Sequence, residues 1–114
     1  MDALMPSLPT LLVLRALESG PMHGYKIARW IEQKSTDTLI MKEGTLYPLL
    51  HQLERKGYLK SDWQAVESER KVKVYTLTEK GSGHLENERQ EWSLRTEVVQ
   101  RVLFGKEATS YGVV

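Results

Sequence analysis

The sequence predicts an α+β fold, mainly α with a small β-wing: a winged helix-turn-helix followed by a long C-terminal helix. Three observations carry this. Leu46, Leu49, Leu50 and Leu53 fall at i, i+3, i+4 and i+7 within Gly44–Leu59, which is one face of a helix. Two further helical segments, Thr10–Ser19 and His23–Ser35, precede it. Two extended segments, Tyr58–Gln64 and Lys71–Leu77, follow it and read as a two-stranded ribbon.

Each element has a local cause. Pro9 suits the first turn of a helix, where its missing N–H costs nothing. Leu11, Leu12, Leu14 and Leu17 then supply an apolar stripe, and Ser19-Gly20-Pro21 ends the helix. In the second helix Tyr25, Ile27, Ala28 and Ile31 form the expected core face, with His23 as a cap or turn residue. Thr36–Ile40 reads as a brief strand or extended link, with Leu39 and Ile40 buried under the third helix. Pro48 is out of place in the third helix, since an interior proline costs about 3 kcal/mol. Either the helix begins close to Pro48, or Gly44 yields one turn back. The backbone N–H groups of Gly44–Tyr47 are then candidates for a phosphate. Gly57 stops this helix. The second strand alternates Lys71, Lys73, Tyr75 and Leu77 with Val72, Val74 and Thr76. The polar connection 65–70 has no tight hairpin signal and is expected to be a mobile wing tip. Thr78 is a good N-cap for the final helix, Glu79–Leu103, which Gly81 and Gly83 weaken at its start.

At 114 residues the chain is one domain by length, with 40% hydrophobic and 27% charged residues. It divides into a winged helix over 1–78, a pairing helix over 79–105 and a flexible tail over 106–114. There is no cysteine, which excludes disulfide and thiolate chemistry. No apolar run reaches the roughly 20 residues that span a bilayer. The N-terminal segment contains Asp2, Pro6 and Pro9 and lacks a basic leader, so it reads as the first helix rather than a signal peptide. A cytoplasmic protein is expected. The net charge is +1, and a mild basic excess lies between Lys42 and Tyr75. Charge alone does not separate a nucleic-acid surface from a solvated one.

Enzyme chemistry finds no support. His23, His51 and His84 lack carboxylates at ligand spacing, so no metal or other cofactor is expected. No nucleophile elbow, phosphate-binding loop or dinucleotide fingerprint is present.

Several short pieces in a fixed order carry a resemblance. They are Gly20-Pro21-Met22-His23-Gly24-Tyr25, Gly44-Thr45-Leu46-Tyr47-Pro48-Leu49-Leu50 and Leu53-Glu54-Arg55-Lys56-Gly57-Tyr58-Leu59. Trp63 and Val74-Tyr75-Thr76-Leu77-Thr78-Glu79-Lys80-Gly81 complete them. Together, over about Leu11 to Leu103, they resemble the PadR family of bacterial transcription regulators. Val74-Tyr75 departs from the Tyr-Tyr common there. The resemblance implies a homodimeric repressor of the short type, with one C-terminal dimerisation helix; two copies of the third helix in successive major grooves then call for a near-palindromic DNA operator.

In a winged helix-turn-helix the third helix reads DNA. Thr45, Tyr47, Pro48 and His51 can face outward while the leucines face in, and Lys42 precedes them. The family places the tyrosine matching Tyr47 on the DNA side; the alternative is a ring that braces the helix. Arg70, Lys71 and Lys73 suit phosphate contacts from the wing or a solvated strand edge. Tyr25 and Lys26 suit backbone phosphate, and Tyr25 suits the core equally. Leu85, Trp92 and Val99, seven apart, with Val98, Val102 and Leu103, form the dimerisation seam. In multidrug-binding relatives a tryptophan at the place of Trp92 lines a pore between subunits and stacks on planar ligands. Trp92 therefore either meets a small aromatic effector or fills the seam. The competing function is a winged-helix protein–protein module that does not bind DNA.

Overall fold

The computed structural model describes residues 8–65 and 70–105. Pro9 lies in the first turn of α1 (Leu8–Glu18), as its missing donor requires. Leu14 and Leu17 are buried together with Val13 and Ala16, while Leu11 and Leu12 pack partly buried against this core. The helix ends where the Ser19 hydroxyl donates to the Ala16 carbonyl at 2.6 Å. Gly20 then takes φ +147°, a conformation open to glycine.

The chain next enters β1 (Met22–His23), which pairs antiparallel with the later strand β3 (Lys71–Leu77) through Met22 opposite Tyr75 and His23 opposite Val74. With β2 (Leu59–Ala65) on the other side of β3, the ribbon is three-stranded, in the order β1-β3-β2, and not two-stranded. A strand of two residues has no period for a sequence to display. His23 also caps α2 (Gly24–Lys34), its Nδ1 accepting the Lys26 N–H at 3.3 Å. Ile27 and Ile31 are buried and Ala28 packs beside them. Tyr25, expected on that core face, is 64% exposed. It lies about 200° around the helix from Ile27, on the side turned away from the core.

No strand follows α2. The Thr36 N–H bonds the Gln33 carbonyl and the Asp37 N–H bonds the Glu32 carbonyl, a Schellman closure. Thr36 and Asp37 both adopt left-handed φ, +51° and +62°, which turns the chain instead of extending it. Leu39 ends partly buried, and Ile40, expected inside, is 64% exposed. Met41 fills the core in its place.

α3 spans Glu43–Arg55 and carries Pro48 inside it. The helix thus begins well before Pro48, and the Gly44 carbonyl forgoes its donor one turn on. Gly44 is exposed, which spares that carbonyl burial. Leu46, Leu50 and Leu53 are buried and Leu49 is partly so. Gly57, at φ +85°, closes the helix by bonding Glu54, while the Tyr58 N–H bonds the Leu53 carbonyl.

β2 (Leu59–Ala65) and β3 (Lys71–Leu77) pair from Leu59 opposite Leu77 to Ala65 opposite Lys71. Leu59, Ser61 and Trp63 share a sheet face with their partners Leu77, Tyr75 and Lys73. Leu59 and Tyr75 anchor that face in the core. The expected mobile wing tip falls largely on residues 66–69, and the expected flexible tail on 106–114. Both lie outside the described residues.

α4 (Glu79–Phe104) is knitted to the end of α3. The Thr78 hydroxyl accepts the Gly81 N–H at 3.0 Å and donates to the Gly57 carbonyl at 2.7 Å. Lys80 Nζ donates to the Lys56 carbonyl at 2.9 Å. Gly81 is more than a weak helix residue, because a Cβ there would collide with the Tyr58 carbonyl oxygen. Leu85 is 1% exposed and belongs to the core of its own chain, so it has no surface to offer a partner. Arg89 grips Glu18 of α1 with both contacts of its guanidinium nitrogen, at 2.8 and 3.0 Å. Farther on, Leu94, Val98, Val99, Val102, Leu103 and Phe104 are all exposed. This projecting half makes the molecule long, 57 × 28 × 25 Å.

Candidate nucleic-acid interface

The leucine stripe of α3 faces the core and so turns its other side outward. Thr45, Pro48 and His51 are exposed there, Lys42 is exposed at the N-cap, and Tyr47 is half-buried. Tyr25 and Lys26 are exposed at the start of α2. Arg70 and Lys71 are exposed on the wing. Six of the expected residues meet in one open groove of about 830 Å³: Tyr25, Tyr47, His51, Arg70, Lys71 and Lys73. Lys26, Lys42, Thr45 and Pro48 lie outside it. Lys42 instead borders a smaller hollow of about 300 Å³, shared with Tyr25 and Tyr47.

Tyr47 braces the helix and lines the groove with the same ring. A Cβ on Gly24 would stand 2.6 Å from Tyr47 Cε1 and from its hydroxyl, so the ring lies directly on the α2 backbone. The first turn of α3 is less open than expected. The N–H groups of Thr45 and Leu46 both bond the Lys42 carbonyl, at 3.0 and 2.9 Å, and are not available to a phosphate.

Lys73 differs from its neighbours on the wing. It is half-buried, lies 3.6 Å from Glu54 of α3, and its ammonium sits over the Tyr75 ring at 5.7 Å. Burial, with Glu54 and then Tyr47 nearby, raises the Tyr75 phenol above its usual 10.0. The unfolded chain therefore ionises this tyrosine first as pH passes 10. Stability from Tyr75 is complete below that pH and is lost as pH rises through the higher folded value. Tyr75→Phe should flatten this alkaline loss, and urea midpoints at pH 9 and pH 11 for both proteins would measure it.

Sequence reasoning does not place Trp63 or His23 in the groove. Trp63 is 63% exposed and forms a wall of the groove, opposite Lys73 on the adjacent strand. Its position two residues beyond Ser61, on the Leu59 face, was the available sign. His23 also lines the groove beside its capping role. Among the described residues no cluster of His, Asp or Glu is placed to hold a metal ion. No described helix is long and apolar enough to cross a membrane.

Three helices with a three-stranded sheet, an outward face on the third helix and a wing beside it define a winged-helix protein. The model of the PadR-like family of transcriptional regulators matches residues 13–87, and the chain belongs to that family. A transcriptional regulator from Clostridium thermocellum is 30% identical, with TM-score 0.77, over 86% of this chain and 90% of that one. A PadR family transcription regulator from hypervirulent Clostridium difficile is 31% identical, with TM-score 0.74, over 85% and 99%. Bacillus subtilis PadR in complex with operator DNA shares the fold at 23% identity and TM-score 0.66, over 71% of this chain and 46% of that one.

Proposed function

We propose that this transcriptional regulator is a repressor that binds a near-palindromic DNA operator as a homodimer. The groove carries the reading: it brings Tyr47 and His51 of α3 together with Arg70 and Lys71 of the wing. Residues 1–78 form the DNA-binding unit and 79–105 the pairing helix. Tyr25, Lys26, Lys42, Thr45 and Pro48 flank the contact. The operator complex of Bacillus subtilis PadR supports this use of the fold. Val98, Val99, Val102 and Leu103, exposed on α4, supply the seam between copies. Trp92, half-buried beside that seam, either packs it or stacks on a planar aromatic effector whose binding releases the DNA. The working compartment is the cytoplasm.

Duplexes selected from random DNA test the reading. Half-sites should lie about 10 bp apart, centre to centre, or at a multiple of that spacing. Tyr47→Ala should weaken the selected duplex far more than unrelated DNA. Replacing Arg70 and Lys71 together by Ala should weaken every duplex and flatten the slope of log K against log salt by about 1.8, or roughly 0.9 per phosphate contact. A protein whose duplex binding shows no salt slope and no response to these changes would be the interaction module instead.

A further inference from the structure

Glu54 stands near the end of α3, outside the outward-facing set. Its Oε2 accepts the Ser61 hydroxyl at 2.5 Å, and its Oε1 lies 3.6 Å from Lys73 Nζ. Ser61 belongs to β2 and Lys73 to β3. One carboxylate therefore ties the reading helix to both strands of the wing. The tie lies one step outward along β2 from Leu59, which is buried in the same core as Leu53, because Ser61 follows Leu59 on the same sheet face. The side chains of Lys73 and Glu54 are only 31% and 32% exposed, so the pair is sheltered from the screening that makes open surface pairs weak. The hydroxyl bond to a strand residue fixes the carboxylate in direction as well as position.

We propose that Glu54 is a positioning residue that holds the wing at the angle where Arg70 and Lys71 reach the duplex that α3 reads, and that Lys73 serves this clamp rather than a phosphate. The inference rests on the DNA-binding function proposed above. Its sign is diagnostic. An acidic side chain that merely lies near DNA repels phosphate, so removing it should tighten binding. A clamp predicts the reverse: without Glu54 the wing cations lose their register on the backbone, and affinity falls.

A double-mutant cycle on the selected duplex, over a series of salt concentrations, decides it. The variants are Glu54→Gln, Glu54→Ala, Arg70→Ala with Lys71→Ala, and the latter pair combined with Glu54→Ala. Thermal unfolding checks that each is folded, and Ser61→Ala serves as a milder release should Glu54→Ala fail to fold. Expected is a loss of about tenfold for Glu54→Ala, with the salt slope falling by about 1.8 as the two wing cations leave the phosphates. Adding the Arg70 and Lys71 changes should then cost nothing more. Glu54→Gln keeps an acceptor for Ser61 and should lose less. Binding at or above the unmodified affinity for Glu54→Ala overturns the clamp, as does an equal cost of the wing changes with and without Glu54. If the wing changes cost nothing in the otherwise unmodified protein, the wing does not meet DNA and the clamp is overturned; the proposed function falls only if Tyr47→Ala is also without effect and binding shows no salt slope.

Discussion

Val99→Glu is expected to yield a monomer that binds its operator about 10²- to 10⁴-fold more weakly than the unmodified protein. Val99 is 52% exposed in the single chain, between Val98 at 54% and Val102 at 79%. A helix face this apolar and this open has a reason to meet another. Once covered by a second copy, a glutamate there would be a buried charge without a partner, a cost of about 3–5 kcal/mol. Loss of pairing also removes the second half-site contact, and with it an avidity of about 10²- to 10⁴-fold. Gln90→Glu, half a turn away around the helix, adds the same charge and should leave the dimer intact. Sedimentation velocity at micromolar concentration and fluorescence anisotropy with a labelled duplex report the two effects. An unmodified chain that sediments as a monomer would remove the basis of this expectation.

Gly81→Ala should destabilise the fold by about 3 kcal/mol, while Gly83→Ala, two residues on, should stabilise it by about 1 kcal/mol. Intrinsic helix propensity predicts a gain of about 1 kcal/mol for both. At Gly83 a Cβ meets nothing within 4 Å, so propensity decides. At Gly81 it would overlap the Tyr58 carbonyl oxygen and stand 2.8 Å from Leu77 Cδ1. The oxygen cannot step aside cheaply, since it accepts the Thr78 N–H at 3.1 Å within the cap of α4. Backbone against backbone leaves only a shift of α4 from the end of α3, and overpacking of this kind costs about 1–3 kcal/mol or more. Urea unfolding with unchanged slope would show the opposite signs as midpoints moving in opposite directions. A rise in midpoint for Gly81→Ala would mean that the two helices are looser than their contact distance implies.

The elements that a period or a cap announces were legible in the sequence. The Leu46, Leu50 and Leu53 stripe, the stop at Gly57 and the cap at Thr78 each follow from local chemistry and are where they were expected. The misplaced residues share a different cause. Tyr25 and Ile40 are large and apolar, but Tyr25 lies across α2 from the core-facing Ile27, and Ile40 follows the left-handed pair Thr36 and Asp37. Composition assigns such residues to the core; helical phase assigns the first to the surface and turn geometry the second. Leu85 continues the heptad of Trp92 and Val99, yet the core of its own chain covers it first, and a periodic stripe does not say which neighbour claims each rung. Of the candidate interface, the outward residues of α3 could be named from the complement of its leucines. The clamp at Glu54 could not, because it joins three elements separated along the chain.

The contact between Tyr47 and Gly24 has a consequence for how this surface can diversify. Two positions on different helices occupy one volume, and any side chain larger than hydrogen at 24 must displace the ring at 47. Alanine at 24 would therefore reshape the groove by displacing a ring that belongs to another helix. Conversely, a smaller residue at 47 would free 24 to vary, so each site limits what the other can hold. A larger residue at 24 is accommodated with least disturbance where 47 has first become smaller.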